Sequence, residues 1–568
     1  MAWTSVVGWL ATGTVALLVA ALGAYLAALS AMFLSVSAQK PTARQLAEED
    51  FGAHPLFRHL PALRTQVPLS YFIHFPRLLP ESTCCLSGRY TRASGLCCIF
   101  AWSAYLGTHA GYDCFKIDIL ICVVFLNAGA TDTNQCFHWG CQVAWRQLGD
   151  FPTPVHTCTL RCPELRASFH VKREDLSSTA YGGNKVRTLQ HQLASCEAYA
   201  EAHPGARFMA VGSGGSNLCV AAIVHGRRAL GMDMTAIWAL PDAPELDNTL
   251  NMMSGLSFEG AHLPWSKPFE IVNALLAVLT GAAKGMVLHA GGNSITGILG
   301  QVAGALEYAE QVARHEAPDP TAIILPLGSS CTITGLIIGI TLVRRLGTLS
   351  AFQNPALKLV GVPVHHAAAR LHNATGFYTS WASRYLALTP QHGIRAVCSF
   401  LRSKGCLDLE QDALRFLQEH VEIAACRDVV GTYGAHSNVS QESAHLYEEH
   451  GSVTDAAGHA CTPLWLCGHF TAKAFAVLLR RLREEASARE GAPGATFHHS
   501  SLLLWHTKSA VQPQGPVDEW QRFLHLAAES GSLFKWAMDG KPTSRDRIGT
   551  VLAEDGCHGY RHLMTRVR

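Results

Sequence analysis

From Gln147 onward, short apolar runs alternate with longer stripes of helical period. Phe208–Val211 predicts a buried strand. It leads into a Gly-rich turn, Gly212 to Asn217 (GSGGSN), and an Ala/Val/Ile-rich helix to about Ala229. Further strands are predicted over Thr235–Leu240 and Gly285–His289. Gln301–Arg314 predicts a helix with Val302, Ala305, Leu306, Ala309 and Val312 on one face. Thr321–Leu327 predicts a strand ending in a second small-residue loop, Gly328 to Thr332 (GSSCT). A helix over Ile333–Arg345 and a strand over Leu357–Val362 follow. Continuous apolar strands alternating with helices predict an α/β protein with parallel sheets covered on both faces. Ligands of such sheets bind at the carboxyl ends of the strands. Both loops fall there, ahead of helix N-termini, so each is a candidate anion cradle. Neither matches a Walker motif or GxGxxG, so nucleotide binding is not indicated.

The N-terminal pattern differs. Residues 1–39 contain no Asp, Glu, Lys, Arg or His, and Val6 to Val36 is almost continuously apolar. That exceeds the roughly 20 residues needed to cross a bilayer. A basic n-region and a short apolar core are both missing, so a single transmembrane helix is expected rather than a cleaved leader. Lys40 and Arg44 follow the span, which predicts a single-pass membrane protein with the bulk of the chain in the cytosol. Residues 41–80 are a Pro- and His-containing lead-in, and 81–146 form a Cys-rich stretch with eight of the chain's 19 cysteines. An apolar run near Ile117–Leu126 is too short to span a bilayer. The stretch is expected to be a poorly ordered insertion; a disulfide-rich module fits poorly with a cytosolic body.

Composition narrows the class. Charged residues are 15%, hydrophobic residues 48% and the net charge is +2. That is neither a disordered nor a nucleic-acid-binding composition. No regular CxxC…CxxC spacing occurs, so no metal site is expected.

The candidate chemistry centres on Val171 to Arg187, VKREDLSSTAYGGNKVR. Gly182 and Gly183 permit a tight turn, and Asn184 is a helix N-cap type. Lys185 then falls where a helix dipole points at a bound anion, a setting that helps depress a lysine pKa and suits Schiff-base chemistry. The plain alternative is a solvated lysine in a helix's first turn.

The same stretch resembles the (K)R(E/D)DL…GGNK(V/L)R signature of the pyridoxal-phosphate enzymes grouped as D-cysteine desulfhydrase and 1-aminocyclopropane-1-carboxylate deaminase. Other segments resemble that family in the same order: Phe151–Val155, GSGGSN, GSSCTITGL (Gly328–Leu336), GTYGAHS (Gly431–Ser437), HFTAKA (His469–Ala474) and LLLWHT (Leu502–Thr507). The resemblance covers about 51–80 and 147–508. It implies a tryptophan-synthase-β-like α/β fold, fold type II, with two open parallel-sheet domains. The catalytic region would run over 147–510, with the smaller domain at about 195–300, and 511–568 would be a C-terminal extension.

The resemblance also implies roles. Lys185 would hold pyridoxal 5'-phosphate and act near Cα of a small amino-acid substrate. Gly328, Ser329, Ser330, Cys331 and Thr332 would hold the phosphate. Ser216 and Asn217 match a pair that contacts substrate carboxylate and cofactor ring. Tyr433 matches a proton-transfer residue, and Thr471 faces the pyridine nitrogen. A neutral Thr471 favours α,β-elimination of D-cysteine to pyruvate, ammonia and sulfide over 1-aminocyclopropane-1-carboxylate deamination to 2-oxobutyrate and ammonia. A catalytically silent, membrane-tethered scaffold is the alternative of another class. A homodimer is among the expected partners. The chain departs from the family at Leu218, Ser330, Cys331, His436 and Phe470. If positions 330 and 331 need positive φ, each costs about 1–2 kcal/mol.

Overall fold

The computed structural model describes residues 54–64, 143–240, 245–265, 285–365, 389–489 and 497–511, a few positions within these ranges excepted, with isolated positions between 266 and 284 and at 533 and 536. Among the described residues no helix is long and apolar enough to cross a membrane. The expected anchor at 1–40, nearly all of the insertion at 81–146 and most of the extension at 511–568 lie outside the described residues.

The described chain opens with α1 (Pro55–His59) and a 3-10 turn, Pro61–Arg64. Next come β1 (Val155–Cys162), β2 (Leu165–Arg173), α2 (Lys185–Ala202), β3 (Arg207–Ser213) and α3 (Asn217–Ala222), which runs on as a π-helical stretch, Ile223–Ala229. These are followed by β4 (Met234–Ala239), α4 (Leu246–Leu256), β5 (His262–Trp265), β6 (Gly285–Leu288), α5 (Ile295–Ala313), β7 (Ala322–Leu327) and α6 (Cys331–Leu346). The remainder is β8 (Lys358–Pro363), α7 (Pro390–Ser403), α8 (Glu410–His420), β9 (Val421–Ile423), α9 (Asn438–His450), β10 (Gly451–Thr454), α10 (Thr471–Arg489) and β11 (His498–His506).

Two sheets result. The smaller has strand order β5-β4-β3-β6 and is wholly parallel. The larger has order β10-β1-β2-β11-β7-β8-β9. It is parallel from β2 to β9, but β1 runs antiparallel to both β2 and β10, so one edge departs from the expected parallel pattern. A two-residue link between β1 and β2 leaves room only for a hairpin, not a crossover.

Strand alternation divides the larger sheet's core. Ile323, Leu325, Leu359, Leu503 and Trp505 join one apolar cluster with α5, α6 and α7. Ala322, Ile324, Val360, Leu502 and Leu504 join another with α9 and α10. Side chains of period 2 thus feed helices on both faces. Leu56, Phe57, Leu60 and Leu63 extend the first cluster, and Arg58 and His59 reach Glu310 on α5. A third cluster joins β3 and β4 to α2, α3 and α4.

Helix α5 begins six residues before the expected Gln301. Ser294 caps it, its Oγ accepting from Gly297 N at 3.1 Å. The glycines at 291, 292, 297 and 300 obscure the helical period in the sequence, whereas the cap fixes the start.

Candidate active site

The four charged residues that open the signature at the end of β2, Lys172 to Asp175, are all buried. Lys172 Nζ donates to Thr153 O (2.7 Å), Glu307 Oε1 (2.6 Å) and Gln311 Oε1 (2.6 Å). Three acceptors engage all three N–H bonds of an ammonium, so the side chain is charged although burial pulls its pKa down. Arg187 lies between Glu174 (2.6 and 2.8 Å) and Glu307 (3.0 and 2.7 Å), its guanidinium over the Phe151 ring. Burial alone would raise the Glu307 carboxyl, but Arg187 and Lys172 outweigh it and hold it at about 2. Arg173 chelates Asp175 and also donates to Thr462 O at 2.8 Å. These ion pairs tie β2 and the first turn of α2 to α5, which fixes where α2 begins.

The Gly-Gly turn is set by close approach. A Cβ at Gly182 would collide with Asp175 O. Gly183 has φ +98, and a Cβ there would sit 2.6 Å from Thr507 O. Asn184 N donates to that same carbonyl at 3.1 Å. Asn184 does not act as the expected side-chain cap: its backbone is already helical, and Nδ2 instead donates to Thr332 Oγ1 at 2.8 Å. The amide therefore cross-links the starts of α2 and α6.

Lys185, the first residue of α2, donates from Nζ to Gly291 O at 2.9 Å. Burial lowers its pKa, opposed only by the Cys331 thiol. Opposite it, β7 ends at Leu327 and the chain turns through Gly328, Ser329 and Ser330 into α6. Ser330 has φ +63, a left-handed backbone usually given to glycine. Cys331 does not share it: it begins the helix, with Sγ turned to Gly292 O (3.6 Å) and Thr188 Oγ1 (3.9 Å). Strain expected at both positions thus falls on Ser330 alone. Asn293 Nδ2 braces the turn by donating to Ser329 O at 2.7 Å.

These residues form a cleft open to solvent and lined by Asn184, Lys185, Asn217, Leu327 to Ile333, Phe470 and Thr507, among others. Of the residues singled out in the sequence, Lys185, Asn217, Gly328, Ser329, Ser330, Cys331 and Thr332 line it together. Ser216, Tyr433 and Thr471 are not in the lining. Ser216 is the residue before α3, near Cys219. Burial pushes the Tyr433 hydroxyl up to about 12, offset in part by a hydrogen bond with Ser213 at the end of β3. Its ring meets His469 (4.9 Å) and Phe470 (6.2 Å) edge-on. Thr471 Oγ1 donates to Trp465 O at 2.9 Å and accepts from Cys467 N at 3.0 Å. Gly291, Asn293 and Asn251 carry no motif and were not foreseen; they come from α4 and the turn before α5.

A family model of pyridoxal-phosphate dependent enzymes matches residues 146–434, more than half of the 568-residue chain. The D-cysteine desulfhydrase of Salmonella paratyphi C is 26% identical over 225 residues, 38% of this chain and 63% of that protein. A putative 1-aminocyclopropane-1-carboxylate deaminase of Pyrococcus furiosus is 27% identical over 203 residues, 35% of this chain and 59% of that protein. The chain therefore matches under two thirds of either relative's length. A crystal structure of an ACC deaminase homologue aligns over 68% of this chain and 97% of its own, at TM-score 0.41 and 17% identity.

The cleft fits the family's cofactor. Among the described residues its lining includes Lys185 and no Asp or Glu, so its charge favours an anion. The first turn of α6 supplies backbone N–H groups without intrahelical partners, and its dipole adds positive potential. A Cβ at Gly328 would meet nothing closer than Val364 Cγ2 at 3.6 Å, so the glycine leaves the cleft open there. An amine of lowered pKa at one side and an amide-rich turn at the other suit a molecule bearing an aldehyde and a phosphate. With the expected two-sheet α/β architecture of fold type II and a family match over half its length, the chain belongs to the pyridoxal-phosphate dependent enzymes.

Proposed function

We propose that this protein catalyses α,β-elimination on a small amino acid, with D-cysteine and water going to pyruvate, ammonia and hydrogen sulfide. The observation that carries the reading is the cleft that holds Lys185 against the turn before α6, with no acidic side chain among its described lining residues. Relatives named D-cysteine desulfhydrase support the substrate class. Pyridoxal phosphate, when bound, supplies an electron sink for bond cleavage at Cα.

The chain's own groups do the rest. Lys185 holds the cofactor and, as an amine of lowered pKa, carries the Cα proton. The amides of Gly328, Ser329, Ser330, Cys331 and Thr332 hold the phosphate, with the Thr332 hydroxyl kept in place by Asn184. Asn217, in the lining, would meet the ring. Tyr433, a protonated hydroxyl at neutral pH, acts as a hydrogen-bond donor near Ser213 at the end of β3. Phe470 and Leu327 keep part of the wall apolar. Among the described residues the lining adds no carboxylate, which favours elimination over ring opening of 1-aminocyclopropane-1-carboxylate.

The test is cofactor titration followed by product analysis. Purified protein given pyridoxal phosphate should develop a visible absorbance band, absent in Lys185→Ala of unchanged circular dichroism. D-cysteine should then yield pyruvate, and the cyclopropane amino acid little 2-oxobutyrate. A protein that takes up no cofactor would end the enzyme reading; a loaded protein inert to D- and L-amino acids would favour the scaffold.

A further inference from the structure

Lys508 follows β11 and the cleft-lining Thr507, pairs backbone to backbone with Gly183, and is fully buried. Its Nζ donates to Asn251 Oδ1 at 2.6 Å and to Tyr181 OH at 3.1 Å, and lies 4.9 Å from the Trp465 ring centroid. Both acceptors pass the bond on to one atom. Asn251 Nδ2 donates to Asn217 Oδ1 at 2.6 Å, and Tyr181 OH donates to the same oxygen at 3.1 Å.

Donor and acceptor chemistry makes this relay directional. An ammonium can only donate, so Asn251 must turn its oxygen to Lys508 and its NH2 to Asn217. Gly215 O, accepting from Asn251 Nδ2 at 2.8 Å, enforces the same orientation. Tyr181, whose oxygen accepts the hydrogen bond from Lys508, must donate its own O–H to Asn217. Both routes claim the Asn217 oxygen. The amide's NH2 is then the group left for the cleft that Asn217 lines. Charge balance for the buried Asp247 is the simpler role for Lys508. However, Asp247 Oδ2 takes its hydrogen bonds from Gly468 N (2.5 Å) and His469 N (3.2 Å), while those of Lys508 go to Asn251 and Tyr181.

We propose that Lys508 is a positioning residue that fixes the Asn217 amide with its NH2 facing the cleft, as a donor to bound pyridoxal phosphate. This rests on the proposed function. Its test is titration of cofactor-free full-length protein with pyridoxal phosphate, read by quenching of intrinsic fluorescence. Lys508→Met and Asn217→Ala should each weaken binding about tenfold. The double variant should bind within about twofold of Asn217→Ala, since both changes remove one interaction. Losses that multiply to about a hundredfold, or wild-type binding in Lys508→Met, would overturn the assignment while leaving the site intact. Tyr181→Phe removes one of the two routes without changing shape. Run through the same cycle, it should lose a few-fold in affinity only when Asn217 is present, and this arm decides the matter if Lys508→Met does not fold. Wild-type protein that binds no pyridoxal phosphate would overturn both this inference and the proposed function.

Discussion

At the scale of single residues, the active amine owes its character to burial. Lys185 was legible as a candidate from Gly-Gly-Asn-Lys, but its partner Gly291 O lies 106 residues away. Capture of an aldehyde needs the neutral amine. With the pKa below the ordinary 10.5, the rate of band formation should rise with pH and level off before 10.5. Stopped-flow mixing with pyridoxal phosphate across pH checks this; a rate still climbing beyond that point contradicts it. Ser330 offers a second residue-scale test. Its left-handed backbone costs about 1 kcal/mol relative to glycine, so Ser330→Gly should raise the unfolding free energy by up to that amount. Denaturant melts read it directly, and a loss would mean that the Ser330 hydroxyl's contacts outweigh the strain.

At the scale of elements, the buried ion pairs decide how α2 sits. The sequence showed Lys172, Arg173, Glu174 and Asp175 as a signature, and placed Glu307 and Gln311 on a helix without a task. Their pairing spans 135 and 139 residues and follows from the packing that brings these α5 side chains to Lys172. Glu307→Gln keeps the shape but leaves Lys172 and Arg187 short of one negative charge, which should cost about 3–5 kcal/mol. The acid limb follows from the sign of the shift. A carboxyl depressed from 4.5 to about 2 gives stability that is full above 4.5 and lost as pH falls toward 2. Wild-type stability should therefore fall over that window, and Glu307→Gln should fall less. Parallel acid titrations in urea would contradict this if the two curves had equal slopes.

At the scale of the whole molecule, five chain segments far apart in sequence build one site: the turn into α2, the start of α3, the turn into α6, the residue before α10 and the segment after β11. The described chain leaves the first core cluster near Arg64 and re-enters at Val143, with Trp145 4.9 Å from His54. Loop length adds only slowly to closure entropy. Deleting residues 81–142 should thus change the unfolding free energy by no more than about 1.5 kcal/mol and keep the Lys185 band. Loss of soluble, cofactor-binding protein on deletion would give the segment a structural role.

The sequence by itself determined the alternation of strands and helices, the two small-residue loops and the lysine, because period, turn residues and motif order are local properties. It also placed Ser330 where glycine is usual. Tertiary structure alone decided that β1 runs antiparallel and that α5 starts at Ser294. It alone brought Asn184 to Thr332, confined the strain to Ser330 rather than Cys331, and buried Lys508 where it meets Asn251 and Tyr181. Each of these depends on which polar atoms meet after the chain is packed. A buried donor must find an acceptor wherever the fold puts one, and no local pattern carries that address.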